Sequence, residues 1–271
     1  MKVEMNILII GDVVGSPGRA IMKKALPVVL KKYDVDYCIA NVENAAGGFG
    51  VTKEICDEIL DMGVDCMTSG NHIWDKREII PIVDQIPQLL RPLNYPAGQP
   101  GHGSYVGRGK DSHVPVAVLN LSGRVFMNGA MDDPFTLGAR EVETLRKEAA
   151  VIIVDMHAEA SSEKTAMAYH LDGTVSAVVG THTHVPTCDH RILPKGTAYC
   201  TDLGMTGPYD SVIGVEAETI VRRFLTAMPG RFETAKGDPR FAAAVVSVDP
   251  KTGRATAIDR MLLGENDVGR L

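Results

Sequence analysis

The sequence predicts an α/β protein in which a layered, mostly parallel β-sheet core lies between helices. Three observations predict it. Short apolar, β-rich runs alternate with stretches of helical periodicity, the pattern of βαβ units. The apolar runs are continuous rather than alternating, as in strands covered on both faces. Most of them are bounded by Gly, Asn or Asp, residues that end strands and make turns.

Taken in order, the first strand is Met5–Ile10, followed by a helix over Arg19–Lys32. The second strand is Tyr37–Ala40, followed by a helix over Thr52–Met62. Further strands are expected at Cys66–Thr68, Val116–Leu121, Val151–Val154, Ser176–Val179 and Ala242–Val248. Residues 92–112 are rich in Pro and Gly and read as an irregular loop or a bridge between two halves. No independent linker, internal repeat or low-complexity tract interrupts the chain, so residues 1–271 are read as one domain.

Composition narrows the function classes. A net charge of −6 leaves no basic surplus with which to neutralise a long nucleic-acid backbone. No apolar stretch reaches the ~18 residues that a membrane span requires. The five cysteines share no CxxC spacing and read as buried thiols. The start, MKVEMNILIIGD, carries an apolar run too short for a signal peptide, so a cytoplasmic protein is expected. Gly11, Gly15 and Gly18 match neither the dinucleotide fingerprint nor a P-loop, and no G-x-S-x-G elbow occurs.

The polar residues carry more information than the apolar ones, because nearly every expected strand runs out into residues able to bind a metal. Carboxyl ends of strands are where ligands collect in open α/β sheets. The first strand ends at Gly11-Asp12, where Asp12 alone is as readily a helix cap or turn former. The second ends in Asn41-Val42-Glu43-Asn44 before a glycine-rich turn, and the third in Ser69-Gly70-Asn71-His72. Later come Asp155-Met156-His157-Ala158-Glu159 and Gly180-Thr181-His182-Thr183-His184. The His-x-His pair is the sharpest local signal, since imidazoles suit first-row transition metals. His102, His113, His170 and His190 have no such setting and are read as structural. Together the candidates form a mixed oxygen and nitrogen donor set suited to iron, manganese or zinc rather than calcium. They exceed one ion's needs, and a shared carboxylate could bridge two ions about 3.5–4 Å apart.

The order Gly-Asp, acid, Gly-Asn-His, His, Gly-x-His-x-His resembles the calcineurin-like metallophosphoesterase superfamily. Two departures are distinctive: Gly11-Asp12-Val13 has no D-x-H, and Asn41-Val42-Glu43-Asn44 replaces the usual G-D-x-x-D. With GDVVGSPGR, ENAA, GNHIWD, LSGRVFM and TDLGMTG all present, the chain is similar almost end to end to the YmdB-like branch, bacterial cyclic-nucleotide phosphodiesterases.

The resemblance implies a layered α/β/β/α metallophosphoesterase-like sandwich and two divalent or trivalent transition-metal ions, iron foremost with manganese or zinc as alternatives. Carried over by position, Asp12, Asn44 and His184 would hold one ion, Asn71, His157 and His182 the other, and Glu43 would bridge them. Asn44 would replace the histidine lost with D-x-H. His72 would face the substrate phosphate rather than a metal. The implied substrate is a small phosphodiester, a 2′,3′-cyclic or 3′,5′-cyclic nucleotide, and a homo-oligomer is expected. The Gly47, Gly48 and Gly50 turn and the Asp202–Gly207 loop are candidate backbone donors to it. Competing readings are a phosphomonoesterase or short-RNA nuclease with the same metal site, and a non-enzymatic regulator that senses a nucleotide.

Overall fold

The computed structural model describes residues 4–110 and 113–271. The first three residues of the start and the last two of the 92–112 segment lie outside the described residues. The first part of the chain forms β1 (Met5–Ile10), β2 (Asp12–Val13), α1 (Gly15–Lys32), β3 (Tyr37–Asn41), α2 (Lys53–Asp61) and β4 (Cys66–Thr68). The middle forms β5 (Ser104–Arg108), β6 (Pro115–Ser122), α3 (Pro134–Leu145), β7 (Val151–His157), α4 (Ser161–Leu171) and β8 (Ala177–Thr181). The last part forms β9 (Arg191–Ile192), β10 (Ala198–Cys200), β11 (Met205–Asp210), α5 (Ala217–Thr226), β12 (Gly237–Val248), β13 (Ala255–Gly264) and α6 (Glu265–Val268).

Two sheets result. One is seven-stranded, in the order β2-β11-β12-β1-β3-β4 with β13 also paired to β12; the other is six-stranded, in the order β5-β6-β7-β8-β10-β9. β1, β3 and β4 are parallel, and so are β6, β7, β8 and β10. Successive residues of β1 face opposite ways, and both faces are covered. Ile7 and Ile9 pack between the sheets with Ile39, Val118, Ile153 and Val179. Leu8 and Ile10 pack outward against Ile21 and Leu26 of α1 and Ile59 of α2. On the far side Leu119 and Val154 pack against Val142 and Leu145 of α3 and Met167 of α4. This double coverage is the reason for the unbroken apolar runs, and it gives the expected α/β/β/α layering.

Several boundaries differ from the sequence reading. α1 begins at Gly15 rather than Arg19, because Pro17 sits in the first turn, where a missing backbone N–H goes unneeded. α2 starts just after Thr52, whose hydroxyl accepts the Ile55 N–H as its cap. β7 runs on past Val154 to His157, since Asp155 and His157 are buried and bonded rather than turned to water. The 92–112 segment is not wholly irregular: β5 lies within it, paired antiparallel to β6. β10, β11 and β13 escaped the sequence reading because they are short or carry exposed polar positions. The cysteines are free and four are buried, but Cys188 is exposed, against expectation. Among the described residues no helix is long and apolar enough to cross a membrane.

Candidate active site

Parallel strand order brings the ends of β1, β3 and β4 beside those of β7 and β8, and the side chains that follow them converge. Gly70 is what allows β4's exit to approach: a Cβ there would lie 2.1 Å from the His157 ring. The next residue, Asn71, then directs Oδ1 to 3.0 Å from His157 Nε2. The same nitrogen lies 3.2 Å from Glu43 Oε1 and 3.1 Å from His182 Nδ1. A single proton cannot serve three such neighbours at once. Beside this group, Asn44 Nδ2 lies 3.2 Å from Glu43 Oε1 and 3.1 Å from His184 Nε2. Asp12 Oδ1 lies 3.9 Å from His184 Nε2. Glu43 therefore stands at the junction of the two groups. All seven residues that the sequence singled out as metal ligands come together.

The site passes a direct chemical test for a cation. Asp12 Oδ1 and Asn44 Oδ1 are buried and have no hydrogen-bond partner among the described residues, an arrangement costly unless something else satisfies them. Among the described residues Glu43, His157 and His182 form a set whose ligand atoms all lie within 4.8 Å of one another. Carboxylate, carboxamide and imidazole donors suit a transition metal.

The imidazoles are oriented by groups behind them, as metal-binding histidines usually are. His157 Nδ1 lies 2.9 Å from Thr181 Oγ1, which donates in turn to Asp155 Oδ1 at 2.7 Å. Asp155 also accepts from Thr68 and Asn41. His184 Nδ1 lies 2.8 Å from the Ile213 carbonyl, leaving Nε2 to face Asn44 and Asp12. His182 Nε2 lies 3.2 Å from Glu159, leaving Nδ1 to face His157.

The loop that carries this histidine pair is itself held under constraint. His182 and His184 both have left-handed backbone, with φ of 98° and 64°, a conformation that costs a non-glycine residue about 1–3 kcal/mol. Asp12 Oδ2 accepts the His182 N–H at 3.1 Å. Asp202 Oδ2 accepts the Thr183 N–H and hydroxyl at 3.2 and 2.8 Å, and the Lys164 ammonium at 2.7 Å. Lys164 and Asp202 are both buried.

Electrostatics follow from burial and proximity. Burial raises the Asp12 carboxyl to about 6, although His184 and His157 oppose the shift. Burial would raise Glu43 too, but His157 beside it and the His72 N–H hold it down to about 2. His157 is pushed up to about 9, because Glu43 and Asp12 outweigh its own burial. His182 is driven down to about 3 by burial and by the adjacent His157.

His72 stands apart from the cluster. Its backbone N–H donates to Glu43 Oε2 at 3.0 Å, while Nδ1 lies 2.8 Å from Asp75 Oδ2. The side chain lines a cavity of about 620 Å³ whose floor includes Glu43, Asn44, His182 and His184. Gly48 lines this cavity, but no residue of Asp202–Gly207 does. The expectation that the latter loop donates to substrate is corrected: its acid is turned inward to the histidine loop, and Met205–Asp210 is strand β11. His102, His113, His170 and His190 are absent from the cavity lining; the first three are exposed and His190 is half-buried.

Sequence reasoning missed Lys164 altogether, and it singled out the stretches that hold Asp75, Asp155, Thr181 and Asp202 without assigning those four residues their supporting roles. Asp75 was detectable as an acid three residues beyond His72, and Asp155 as a charge at the end of an unbroken apolar run. Lys164 left no signal, because its partner is 38 residues away.

The likeness to known proteins extends over the whole arrangement. The chain is 48% identical to the 2′,3′-cyclic-nucleotide 2′-phosphodiesterase of Bacillus subtilis (strain 168) over 263 residues, covering 97% of this chain and 98% of the relative. Among solved structures it is similar to a hypothetical protein from Thermus thermophilus, with 42% identity, a TM-score of 0.89 and coverage of 96% and 100% of the two chains. It is also similar to a novel phosphatase from Mycoplasma pneumoniae, with 33% identity, a TM-score of 0.90 and coverage of 97% and 95%. The family described as YmdB-like protein matches residues 8–261, a span that takes in every strand end contributing to the site. By that match, and by the identity to the Bacillus subtilis relative, the chain belongs to the YmdB-like family.

Proposed function

We propose that this protein is a metal-dependent phosphoric diester hydrolase acting on cyclic nucleotides, 2′,3′-cyclic, 3′,5′-cyclic or both. The observation that carries the reading is the junction at Glu43, where two donor groups meet and two buried oxygens, on Asp12 and Asn44, stand without hydrogen-bond partners among the described residues. The name of the Bacillus subtilis relative supports the cyclic-nucleotide substrate. In this reading Asp12, Asn44 and His184 hold one ion, Asn71, His157 and His182 hold the other, and Glu43 is shared. Iron is the metal favoured, with manganese or zinc as alternatives. When bound, such a pair supplies Lewis acidity toward the phosphate oxygens and brings the pKa of water toward about 7.

The chain's own contribution is orientation and proton control. Thr181 and Asp155 keep His157 Nδ1 protonated, so that Nε2 offers its lone pair to the cluster. The Ile213 carbonyl does the same for His184. Asp75 accepts from His72 Nδ1, which leaves Nε2 facing the cavity, where it neutralises the phosphate and protonates the departing alkoxide.

A phosphomonoesterase or short-RNA nuclease is the second reading, favoured by the name of the Mycoplasma pneumoniae relative as a phosphatase. A regulator that binds nucleotide without turnover is the third. The deciding experiment compares 2′,3′-cyclic, 3′,5′-cyclic, monoester and oligonucleotide substrates after reconstitution with iron or manganese, alongside elemental analysis. Cyclic-nucleotide turnover with about two ions per chain is expected. Faster monoester or oligonucleotide hydrolysis would move the assignment to the second reading, and tight binding without turnover to the third. The proposed setting is the cytoplasm, in keeping with the free cysteines. A homo-oligomer belongs to the same proposal, and sedimentation tests it.

A further inference from the structure

The cavity beside the metal-binding residues is larger than a phosphate needs, and its outer half has a different character. At about 620 Å³ it falls in the range of sites that enclose a whole small molecule. Beyond His72 its wall includes Phe49, Phe232, Val212, Ile213 and Arg223. We infer that Phe49 and Phe232 form a nucleobase-binding subsite, with Arg223 at its edge, so that the base of the substrate is held while its phosphate lies against His72 and the metal-binding floor. This inference rests on the phosphodiesterase reading above and names the part of the substrate that the outer cavity takes.

Geometry supports the assignment in three ways. The Phe49 ring meets the His72 ring edge-on with centroids 4.9 Å apart, so an aromatic surface begins immediately beside the residue that faces the phosphate. The Phe49 and Phe232 rings are 6.5 Å apart and inclined by 31°. Two stacking contacts at about 3.5 Å each would span ~7 Å, so a flat heterocycle enters between the rings once they part by about half an ångström and lose their tilt. The Arg223 guanidinium lies 4.9 Å from the Phe232 ring centroid, a cation–π contact that steadies the ring and brings hydrogen-bond donors to the polar edge of a base.

The two rings are carried by segments that touch. Phe49 is flanked by Gly48 and Gly50, both with positive φ, and a Cβ at Gly48 would lie 2.9 Å from Thr234 Oγ1, two residues beyond Phe232. The glycines therefore let the Phe49 turn approach the 232–234 segment closely enough to bring the two ring centroids within 6.5 Å. Neither ring is fully buried. Both are half-buried, and a base–aromatic stack is a sequence-tolerant way of covering what remains exposed.

The test has a binding arm and a kinetic arm. Metal-free parent protein is titrated with adenosine, which carries the base and ribose without phosphate, and compared with Phe232→Ala and Phe232→Tyr. Adenosine is expected to bind the parent and Phe232→Tyr, and to bind Phe232→Ala about tenfold more weakly. In the kinetic arm, the ratio of kcat/KM for adenosine 2′,3′-cyclic phosphate to that for the base-free methyl riboside 2,3-cyclic phosphate is expected to fall about tenfold in Phe232→Ala, through KM, and to be restored in Phe232→Tyr. An unchanged ratio, or no adenosine binding by the parent, overturns the subsite. Failure of the parent to hydrolyse any phosphodiester overturns the underlying reading instead, while the adenosine titration still decides the subsite.

Discussion

Asp12, Glu43 and His157 on the floor of the site are fully buried, and the groups that orient the floor, Asp155, Lys164 and Asp202, are buried as well. At the mouth, α5 buries none of its residues, and Phe224 and Leu225 are more than three-quarters exposed. Both regions border the same cavity, yet the floor is fastened to two β-sheets and the mouth to little. Ligands for small cations must be held within a few tenths of an ångström, which requires rigid strand ends and partners behind each donor. A surface that admits and releases a substrate needs compliance, and compliance comes with few buried contacts. The contrast fits the proposed division, with the metal-binding chemistry on the floor and substrate selection at the mouth.

Substitutions can break or sharpen that contrast. The largest effect is expected at the junction: Glu43→Gln removes the charge that the two donor groups share, and should abolish both metal retention and phosphodiesterase turnover. The loss should exceed the ~10²-fold typical of removing an outer partner, as elemental analysis and turnover assays would measure. His72→Ala is expected to keep its metal and lose about 10²- to 10⁴-fold in kcat. A variant that hydrolyses a generic diester as fast as the parent would remove His72 from the mechanism.

Next comes the clamp on the histidine loop. Lys164→Met leaves Asp202 buried without its cation, which typically costs about 3–5 kcal/mol. A fall in Tm on the order of 10 °C is expected by calorimetry. An unchanged Tm would mean that the loop holds its left-handed backbone unaided.

Titration of the metal-free chain gives a smaller, graded effect. His157 is raised from 6.5 to about 9, so its contribution to stability is full below pH 6.5 and is lost as pH rises through 9. Asp12, raised from 3.8 to about 6, has completed its own unfavourable ionisation before that window. Melting of metal-stripped protein should therefore weaken between pH 7 and about 9.5, and a flat profile there would contradict the proton held on His157. At the mouth, Leu225→Ser should change stability by less than about 0.5 kcal/mol. A larger loss by chemical denaturation would show that α5 is not the loosely held wall its exposure indicates.

Much of this was legible in the sequence because strand ends announce themselves. An apolar run followed directly by Asp, Asn or His marks both a strand and the place where it opens, and all seven expected metal ligands lie just beyond such runs. The supporting residues were not legible to the same degree. Thr68 and Asp155 are bonded across 87 residues, and Lys164 meets Asp202 from a helix with almost no amphipathic pattern. The Asp202–Gly207 stretch was visible as a motif, but its orientation was not: only the packed structure turns its acid toward Thr183 and away from the cavity.

What the sequence determined by itself is the alternation of strands and helices, the burial of strands on both faces and the chemical types of the donors. All three follow from backbone periodicity and from the cost of exposing apolar side chains, which act over a few residues. Which donors share a junction, which imidazole nitrogen faces inward, and that Phe49 meets Phe232 beside His72 were decided only by the tertiary structure. Those relations depend on how two sheets stack and where their strand ends meet, and no local pattern encodes a distance between segments that only packing brings together.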